Sequence, residues 1–425
     1  MAILILSNGH GEDVIAARIA QQLQNLAHAS KITALPLVGE GYAYKNLNIP
    51  LIGSVKKMPS GGFNQNPQQL LRDVWGGLIG LSYEQYKTVI QWGKNGGKIL
   101  AVGDLVPLFL AWLSGTDYGF VGTAKSEYYL RNETDWLPQT SSLERWFCSM
   151  YFPWERWLMS HSRCRAVFPR DTLTAKILQQ WPIPVFDLGN PMMDGLELSQ
   201  KTDLINKRNR LTIVLLPGSR SPEAQNNWRL ILEAVNYLIA DFSDKSILFL
   251  AAIAPSLSLE AFVQDSLSQG WNYQKIEAQK LELNNTDKLA FINKNSTLIM
   301  TQQSYGNCLQ IADLGIAMAG TATEQFVGLG KPAITLPGKG PQFTLSFAQK
   351  QTYLLGESVI LVNHPQQVPI VINSLLKDPQ RLQNIAINGQ RRLGNPGAAK
   401  RIAQCLIKNG FGENVPSKSL KNAIF

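Results

Sequence analysis

Short apolar runs alternate along this chain with amphipathic stretches and glycine-bearing turns, the pattern that parallel βαβ units produce. The alternation occurs twice. Runs at 3–6, 32–37, 99–102, 118–121, 166–168 and 185–188 predict the strands of one sheet, and runs at 211–216, 247–252, 296–300, 314–318, 333–336 and 359–361 predict those of a second. Between the sets, 197–210 is polar and charged, as a linker would be. The fold class is therefore α/β, with two Rossmann-like, doubly wound parallel-sheet domains over 1–196 and 211–378 facing each other across a cleft. A final segment, 379–425, opens with helical apolar spacing that places Arg391, Arg392, Lys400 and Arg401 at polar positions. Low-complexity stretches and short-period repeats are not seen.

Composition narrows the class. The chain has 425 residues, 45% hydrophobic and only 17% charged, enough for two cores. A formal charge of +9 favours anionic partners. The basic residues are scattered rather than clustered, so nucleic acid is not expected as a partner. Cys148, Cys164, Cys308 and Cys405 lie far apart with no metal-ligand spacing, which suits a reducing compartment. The chain starts directly on an apolar strand without the basic flank of a secretion signal, and its longest apolar run, 105–113, is too short to cross a bilayer. A cytoplasmic protein is expected, with no metal centre. Nothing in the sequence sets an oligomeric state.

Four strand ends carry candidate chemistry. In the second set, 314–318 is followed by Ala319-Gly320-Thr321-Ala322-Thr323-Glu324-Gln325, a small-residue turn that opens a helix closed by Gly330-Lys331-Pro332. Unpaired amides and the positive end of the helix dipole make such a start an anion site, or it is an ordinary crossover with nothing bound. The run 211–216 leads into Pro217-Gly218-Ser219-Arg220, where glycine permits a tight turn, serine donates to phosphate oxygens and the guanidinium fork suits a diphosphate. In the first set, Ser7-Asn8-Gly9-His10-Gly11-Glu12-Asp13 precedes a helix expected over 14–26. Its glycines let backbone approach a ligand, with His10 either facing the cleft or a solvated loop residue and Asp13 a helix cap. Asp104, after the strand 99–102, is either a general base toward a hydroxyl or the cap of a helix beginning near Pro107.

Tryptophans mark the first domain: Trp75, Trp92, Trp136, Trp146, Trp154 and Trp157, with Arg145 and Arg156 interleaved over 143–157. They are either core or an interfacial surface for an anionic membrane and a lipid acceptor. The glycine-bearing stretch 58–66 reads as a loop able to cover such an acceptor, and 338–351, with Gln342 and Phe343, as a plain loop or as one beside a donor sugar.

The segments 215–220, Leu188-Gly189-Asn190-Pro191-Met192-Met193-Asp194 and Gly320-Thr321-Ala322-Thr323, with the Gly-His loop and Gly394-Asn395-Pro396-Gly397-Ala398-Ala399-Lys400-Arg401-Ile402-Ala403, together resemble the lipid-A-disaccharide synthase-related family. A weaker likeness is to the N-acetylglucosaminyltransferase that makes lipid II. The resemblance covers most of the chain and implies the GT-B fold, with an interdomain cleft, a nucleotide-sugar donor held by the second domain, an acceptor by the first and a last helix crossing back. It implies donor binding by Gly218, Ser219, Arg220, Gly320, Thr321, Ala322, Thr323, Glu324, Gln325 and Gln342, acceptor-side contacts from Asn8, Gly9 and Gly11, and a base among Asp104, His10 and Glu12.

Two departures are visible. The family's ribose-binding Glu falls here on Gln325, with Glu324 one position early, and its Gly-x-Asp-x-Pro-Asp element is reduced to the single Asp104. The implied activity is an inverting transfer from a UDP-linked sugar to a lipid or lipid-linked acceptor, without cofactor, on the inner membrane face. Two alternatives stand beside it: an isomerase of the same fold like UDP-N-acetylglucosamine 2-epimerase, which the few histidines and lone Asp104 disfavour, and a noncatalytic nucleotide-sugar or lipid binder.

Overall fold

Two sheets, each within its own unit, organise the chain. One unit comprises Met1–Asp194 with Pro396–Phe425, the other Gly195–Asn395. The structure is a computed structural model that describes residues 2–26, 31–54, 78–196, 210–274 and 288–411. The loop 58–66, Trp75, the linker positions 197–209 and the tail beyond 411 lie outside the described residues.

The first unit holds a five-stranded parallel sheet, β1 (Ala2–Ser7), β2 (Lys31–Pro36), β3 (Lys98–Gly103), β4 (Tyr118–Gly122) and β5 (Cys164–Phe168), in the order β2-β1-β3-β4-β5. Strand residues alternate between its faces. Ile3 and Ile5 join a core with Ile402 and Leu406 on one side, whereas Leu4 and Leu6 pack with Leu108 and Leu158 on the other. Burial on both faces is why these runs are continuously apolar.

The expected strand at 185–188 does not form. Val185 makes a single bridge to Val167, and after Phe186 donates to the Val167 carbonyl the chain leaves the sheet. Pro182 and Pro184 lack donors and hold the approach to this edge extended but unladdered.

The helical apolar spacing that opens the final segment is two helices. Pro379–Leu393 lies in the second unit and Ala398–Leu406 in the first, divided at Gly394-Asn395-Pro396-Gly397. Gly394 and Gly397 both take positive φ, 74° and 87°. The Asp194 carboxylate accepts from the N–H groups of Gly397, Ala398 and Ala399 at 2.5, 3.1 and 2.7 Å, and Arg401 donates to the Leu188 carbonyl. The segment 188–194 is thus the anchor of the last helix, a negative charge at its positive end.

The second unit holds eight strands, β6 (Leu211–Leu216), β7 (Ile247–Ala252), β8 (Asn272–Gln274), β9 (Leu289–Asn293), β10 (Ser296–Thr301), β11 (Leu314–Ala317), β12 (Ala333–Thr335) and β13 (Val359–Leu361), in the order β13-β12-β11-β6-β7-β10-β9-β8. The sheet is mixed rather than wholly parallel. β9 turns back on β10 through Lys294-Asn295, with Lys294 at φ 51°, and β8 adds to it antiparallel. β9 opens with the apolar run Leu289-Ala290-Phe291-Ile292, which the reading of the sequence passed over, whereas β8 is three residues, Asn272-Tyr273-Gln274, with no apolar run. Below the sheet, Trp228 and Trp271 are fully buried with Phe249 and Phe291.

Candidate functional site

In the second unit, the turns after β6 and β11 open on one cavity of about 540 Å³. Gly218, Ser219 and Arg220 line it from one side and Gly320, Thr321 and Ala322 from the other, with Gln342 also at the wall. Gly218 takes φ 104°, and a Cβ there would stand 3.3 Å from the Met318 carbonyl, so glycine lets the first turn approach the end of β11. Arg220 is exposed at the rim. The helix Thr321–Gly328 begins its ladder with the N–H groups of Thr323 and Glu324 donating to the Gly320 carbonyl. Its leading amides, on Thr321 and Ala322, precede that ladder and belong to cavity-lining residues.

Thr323, Glu324 and Gln325 do not line this cavity. The Thr323 hydroxyl turns back to the Ala319 carbonyl at 2.6 Å, and buried Gln325 accepts the Tyr305 hydroxyl through Oε1 at 2.6 Å. Tyr305 lies on another helix, where no local motif marks it, and is the residue of that pair that faces the cavity.

The residues holding the site are largely ones that residue type alone did not mark. Buried Glu223 accepts from the backbone N–H groups of Gln342 at 3.1 Å and Phe343 at 2.5 Å, fixing the 338–344 loop against the cavity. Asn227, one turn further along the helix Glu223–Asp241, donates to the carbonyls of Pro217 and Met318. Gln302 donates to those of Ala254 and Leu257, and Gln351 to those of Ala319 and Gly320. Carboxamide N–H groups therefore satisfy backbone carbonyls in the segments that follow β6, β7 and β11 around the cavity.

In the first unit, the helix after β1 begins at His10, not at 14: Asp13 N–H donates to the Gly9 carbonyl at 2.7 Å. Asn8 and Gly9 form the turn, while His10, exposed Gly11 and Glu12 occupy the first helical turn. Acidic side chains are stabilised at that helix end. Asp13 is not a cap; its buried carboxylate accepts from Ser7 Oγ at 2.5 Å, and Ser7 Oγ accepts from the Tyr44 hydroxyl at 2.6 Å. Burial pushes the Asp13 carboxyl up to about 7, the Ser7 hydrogen bond opposing it.

Glu12 stands by the ends of β3 and β4. A Cβ on Gly103, at φ 136°, would meet Asn8 Cβ at 2.9 Å and Glu12 Cγ at 3.7 Å, and Thr123 Oγ1 lies 3.5 Å from Glu12 Oε1. Burial raises the Glu12 carboxyl above its usual range and the charge of Asp104 adds to the rise; hydrogen bonds and Arg170 offset part of it. Buried Arg170 donates to the Thr123 carbonyl at 2.9 Å. Asp104 caps the helix Leu105–Leu113, its Oδ1 accepting from Val106 N–H at 3.0 Å. The structure thus brings Asn8, Gly9, Glu12 and Asp104 together at one sheet edge, with Thr123 and Arg170 as members that local sequence did not reveal.

The tryptophans divide. Trp92 bonds the Lys98 carbonyl and Trp136 stacks under Arg131 at 3.6 Å, whereas Trp146, Trp154 and Trp157 are 73%, 51% and 56% exposed. With Phe109 and Phe152 they form an exposed aromatic surface on the helices Leu105–Leu113, Ser142–Phe147 and Pro153–Met159. No helix among the described residues is long and apolar enough to cross a membrane. Among those residues, no group of three or more His, Cys, Asp or Glu side chains could hold a metal ion.

Two α/β units, the first with a parallel sheet and the second with a mainly parallel one, each carrying its candidate residues at the carboxyl ends of its strands, define a GT-B fold. Solved structures share it. MurG of Acinetobacter baumannii matches with a TM-score of 0.54 at 14% identity, over 96% of this chain and 99% of its own. The UDP-GlcNAc 2-epimerase of Neisseria meningitidis bound to UDP-GlcNAc matches at 0.53 and 16%, over 96% and 100%. The S. aureus MnaA-UDP structure matches at 0.56 and 12%, over 96% and 97%. No protein-family model and no curated protein matches the sequence.

Proposed function

We propose that this chain is a nucleotide-sugar enzyme: an inverting glycosyltransferase that holds a nucleoside-diphosphate sugar, UDP-linked, in the cavity of its second unit and passes the sugar to a lipid or lipid-linked acceptor at a membrane surface. The observation that carries the reading is the meeting of Arg220 with the Gly218 and Gly320 turns around a single cavity. Backbone amides and a guanidinium converging on one space suit a diphosphate, and they stabilise it as it departs without needing a metal. Solved structures of the same fold bound to UDP-GlcNAc or UDP support the choice of ligand. The exposed aromatic surface of the first unit supports a membrane-borne acceptor. Deprotonation of the acceptor hydroxyl is assigned to the first unit's sheet edge, with Asp104, Glu12 and His10 as candidates.

One observation favours a second reading, isomerisation of the nucleotide sugar itself. Glu12 and Asp104 are two carboxylates at one place, the charge of Asp104 adding to the rise of the Glu12 carboxyl, and acid–base chemistry on a sugar carbon uses such a pair. It removes part of the objection that Asp104 stands alone. A noncatalytic nucleotide-sugar binder is the third outcome.

Incubating the full chain and membranes with labelled UDP-sugars separates the readings. Label that becomes lipid-soluble supports transfer, an altered free nucleotide sugar supports isomerisation, and saturable binding without turnover reduces the protein to a binder. No binding of any UDP-sugar would refute the proposal.

A further inference from the structure

Another cavity, of about 450 Å³, has its described lining wholly within the first unit. Phe109 and Leu110 of the helix Leu105–Leu113 and Trp154 and Trp157 of the helix Pro153–Met159 wall it, with Ser82 and Gln85 of the helix Leu78–Lys94 on a third side. Ser82, Phe109, Trp154 and Trp157 are exposed and mark its rim, whereas Gln85 and Leu158 are buried and mark its floor. Trp112 braces two of the rim rings, its centroid 5.8 Å from that of Phe109 and 5.3 Å from that of Trp157. No charged side chain stands among the described lining residues. The Gln85 amide nitrogen is committed to backbone carbonyls, those of Leu37 at 2.9 Å, Ser54 at 3.3 Å and Pro36 at 3.4 Å. Such a space offers little to a charged group, and what it gives to a ligand is burial of apolar surface.

We propose that this cavity holds one hydrocarbon chain of the acceptor, beside the residues that act on the acceptor's hydroxyl. The inference rests on the acceptor reading above and deepens it by giving the chain a place of its own. Three observations support it. The space is walled by three helices and its volume falls in the ~300–1,000 Å³ range of sites for one small ligand, so a flat bilayer or protein face covers its rim without filling it, whereas a single flexible chain fills it. The rim rings are exposed aromatics of the kind that sit at headgroup level, where a chain enters or leaves the lipid. Leu105 and Val106, also in the wall, directly follow Asp104, whose Oδ1 accepts from Val106 N–H at 3.0 Å. A chain lying against them brings the group it carries to the carboxyl edge of the sheet.

The probes are octyl, decyl, dodecyl and tetradecyl maltoside, each below its critical micelle concentration, titrated into the full chain by calorimetry. One-to-one binding is expected, with affinity rising about fourfold per added CH2 while the cavity fills. In Leu110→Trp, which takes up part of the space, the rise is expected to stop at a shorter chain than in wild type, so that tetradecyl maltoside loses about tenfold or more in affinity. Leu110→Ala enlarges the space, and the rise is expected to continue to a chain at least as long as in wild type. Leu110 is partly exposed, so both variants are expected to fold, and each reads the cavity without the other.

The same chain-length dependence in wild type and both variants would mean adsorption to the exposed rings, and would overturn the assignment to the cavity. Absence of saturable binding would overturn it equally. A dimer of the unliganded protein that the probes dissociate would assign the cavity to a second copy, and would overturn it too. Transfer of label to lipid by a protein that binds no maltoside would sink this inference alone and leave the function standing. Chain binding by a protein that binds no UDP-sugar would sink the function and, with it, the claim that the chain is the acceptor's.

Discussion

Asn227 Nδ2 lies 3.3 Å from the carbonyl oxygen of Met318, and the same nitrogen donates to Pro217 at 3.0 Å. One buried side chain thereby ties the end of β6 to the end of β11, the two strands whose following turns line the cavity. Among the described residues its Oδ1 has no hydrogen-bond partner, so satisfying both carbonyls leaves an acceptor unmatched. Asn227→Ala is expected to destabilise the protein by about 1–3 kcal/mol, because two buried carbonyls lose their donor. It is also expected to weaken UDP binding, because both turns lose their common anchor. Urea denaturation and calorimetry of the variant check the two effects separately, and a variant as stable as wild type would show that water replaces the amide.

Arg220 is exposed at the cavity rim, so its replacement has little to do with folding. Arg220→Ala is expected to weaken nucleotide-diphosphate binding by about tenfold or more, the loss of a charge-assisted pair, with an unchanged melting temperature. Asp104→Asn is expected to leave binding intact and slow turnover; equal effects of both substitutions on binding would refute this division of roles.

Asp13 titrates against folding. Its carboxyl sits at about 7, well above the usual carboxylate range. Between the unfolded and folded values the native state holds a proton that the unfolded chain has released. The associated stability is complete below about pH 4 and is lost as pH rises to about 7. Asp13→Asn cannot ionise. The stability of the variant relative to wild type is therefore expected to rise with pH across that window by at most about 1.4 kcal/mol per unit of pH. Denaturation of both proteins at pH 5 and pH 8 reads the difference directly, and a constant difference would mean that Asp13 is already ionised at the lower pH.

Asp194 holds the last helix by three backbone N–H groups. Asp194→Ala is expected to cost about 1–2 kcal/mol, as a lost N-terminal cap does, and to expose the chain near Gly394–Gly397 to proteolysis. Asp194→Asn, which keeps an acceptor but not the charge, is expected to fall between. Limited proteolysis followed by mass spectrometry of the fragments tests the location as well as the size of the effect.

The exposed indoles make the membrane reading testable without touching the core. Replacing Trp146, Trp154 and Trp157 together by Gln is expected to abolish co-sedimentation with vesicles containing anionic lipid while the melting temperature stays within a few degrees, since all three are more than half exposed. Undiminished sedimentation would assign membrane contact, if any, to another surface.

Much of this protein was legible in its chain because the relevant physics is local. Apolar runs separated by glycine turns specify parallel strands buried on both faces, and Gly218 and Gly320 announce turns at strand ends, since these signals depend on near neighbours. The false strand at 185–188 and the overlooked hairpin at Lys294-Asn295 mark where that reasoning stops. Apolar content does not say whether an edge accepts another strand, and a short strand's pairing comes from its turn.

What only the tertiary structure decided is who stands opposite whom. Nothing near Asn227 says that its amide will meet Met318, nothing near Asp194 names the amides of Gly397 to Ala399, and Gln325 gives no hint that its partner is Tyr305. The chain determined two α/β layers and the turns at their carboxyl edges through periodicity and backbone freedom. The fold decided which polar groups are satisfied across those edges, because a hydrogen bond depends on distance and direction, and neither is written in the order of residues.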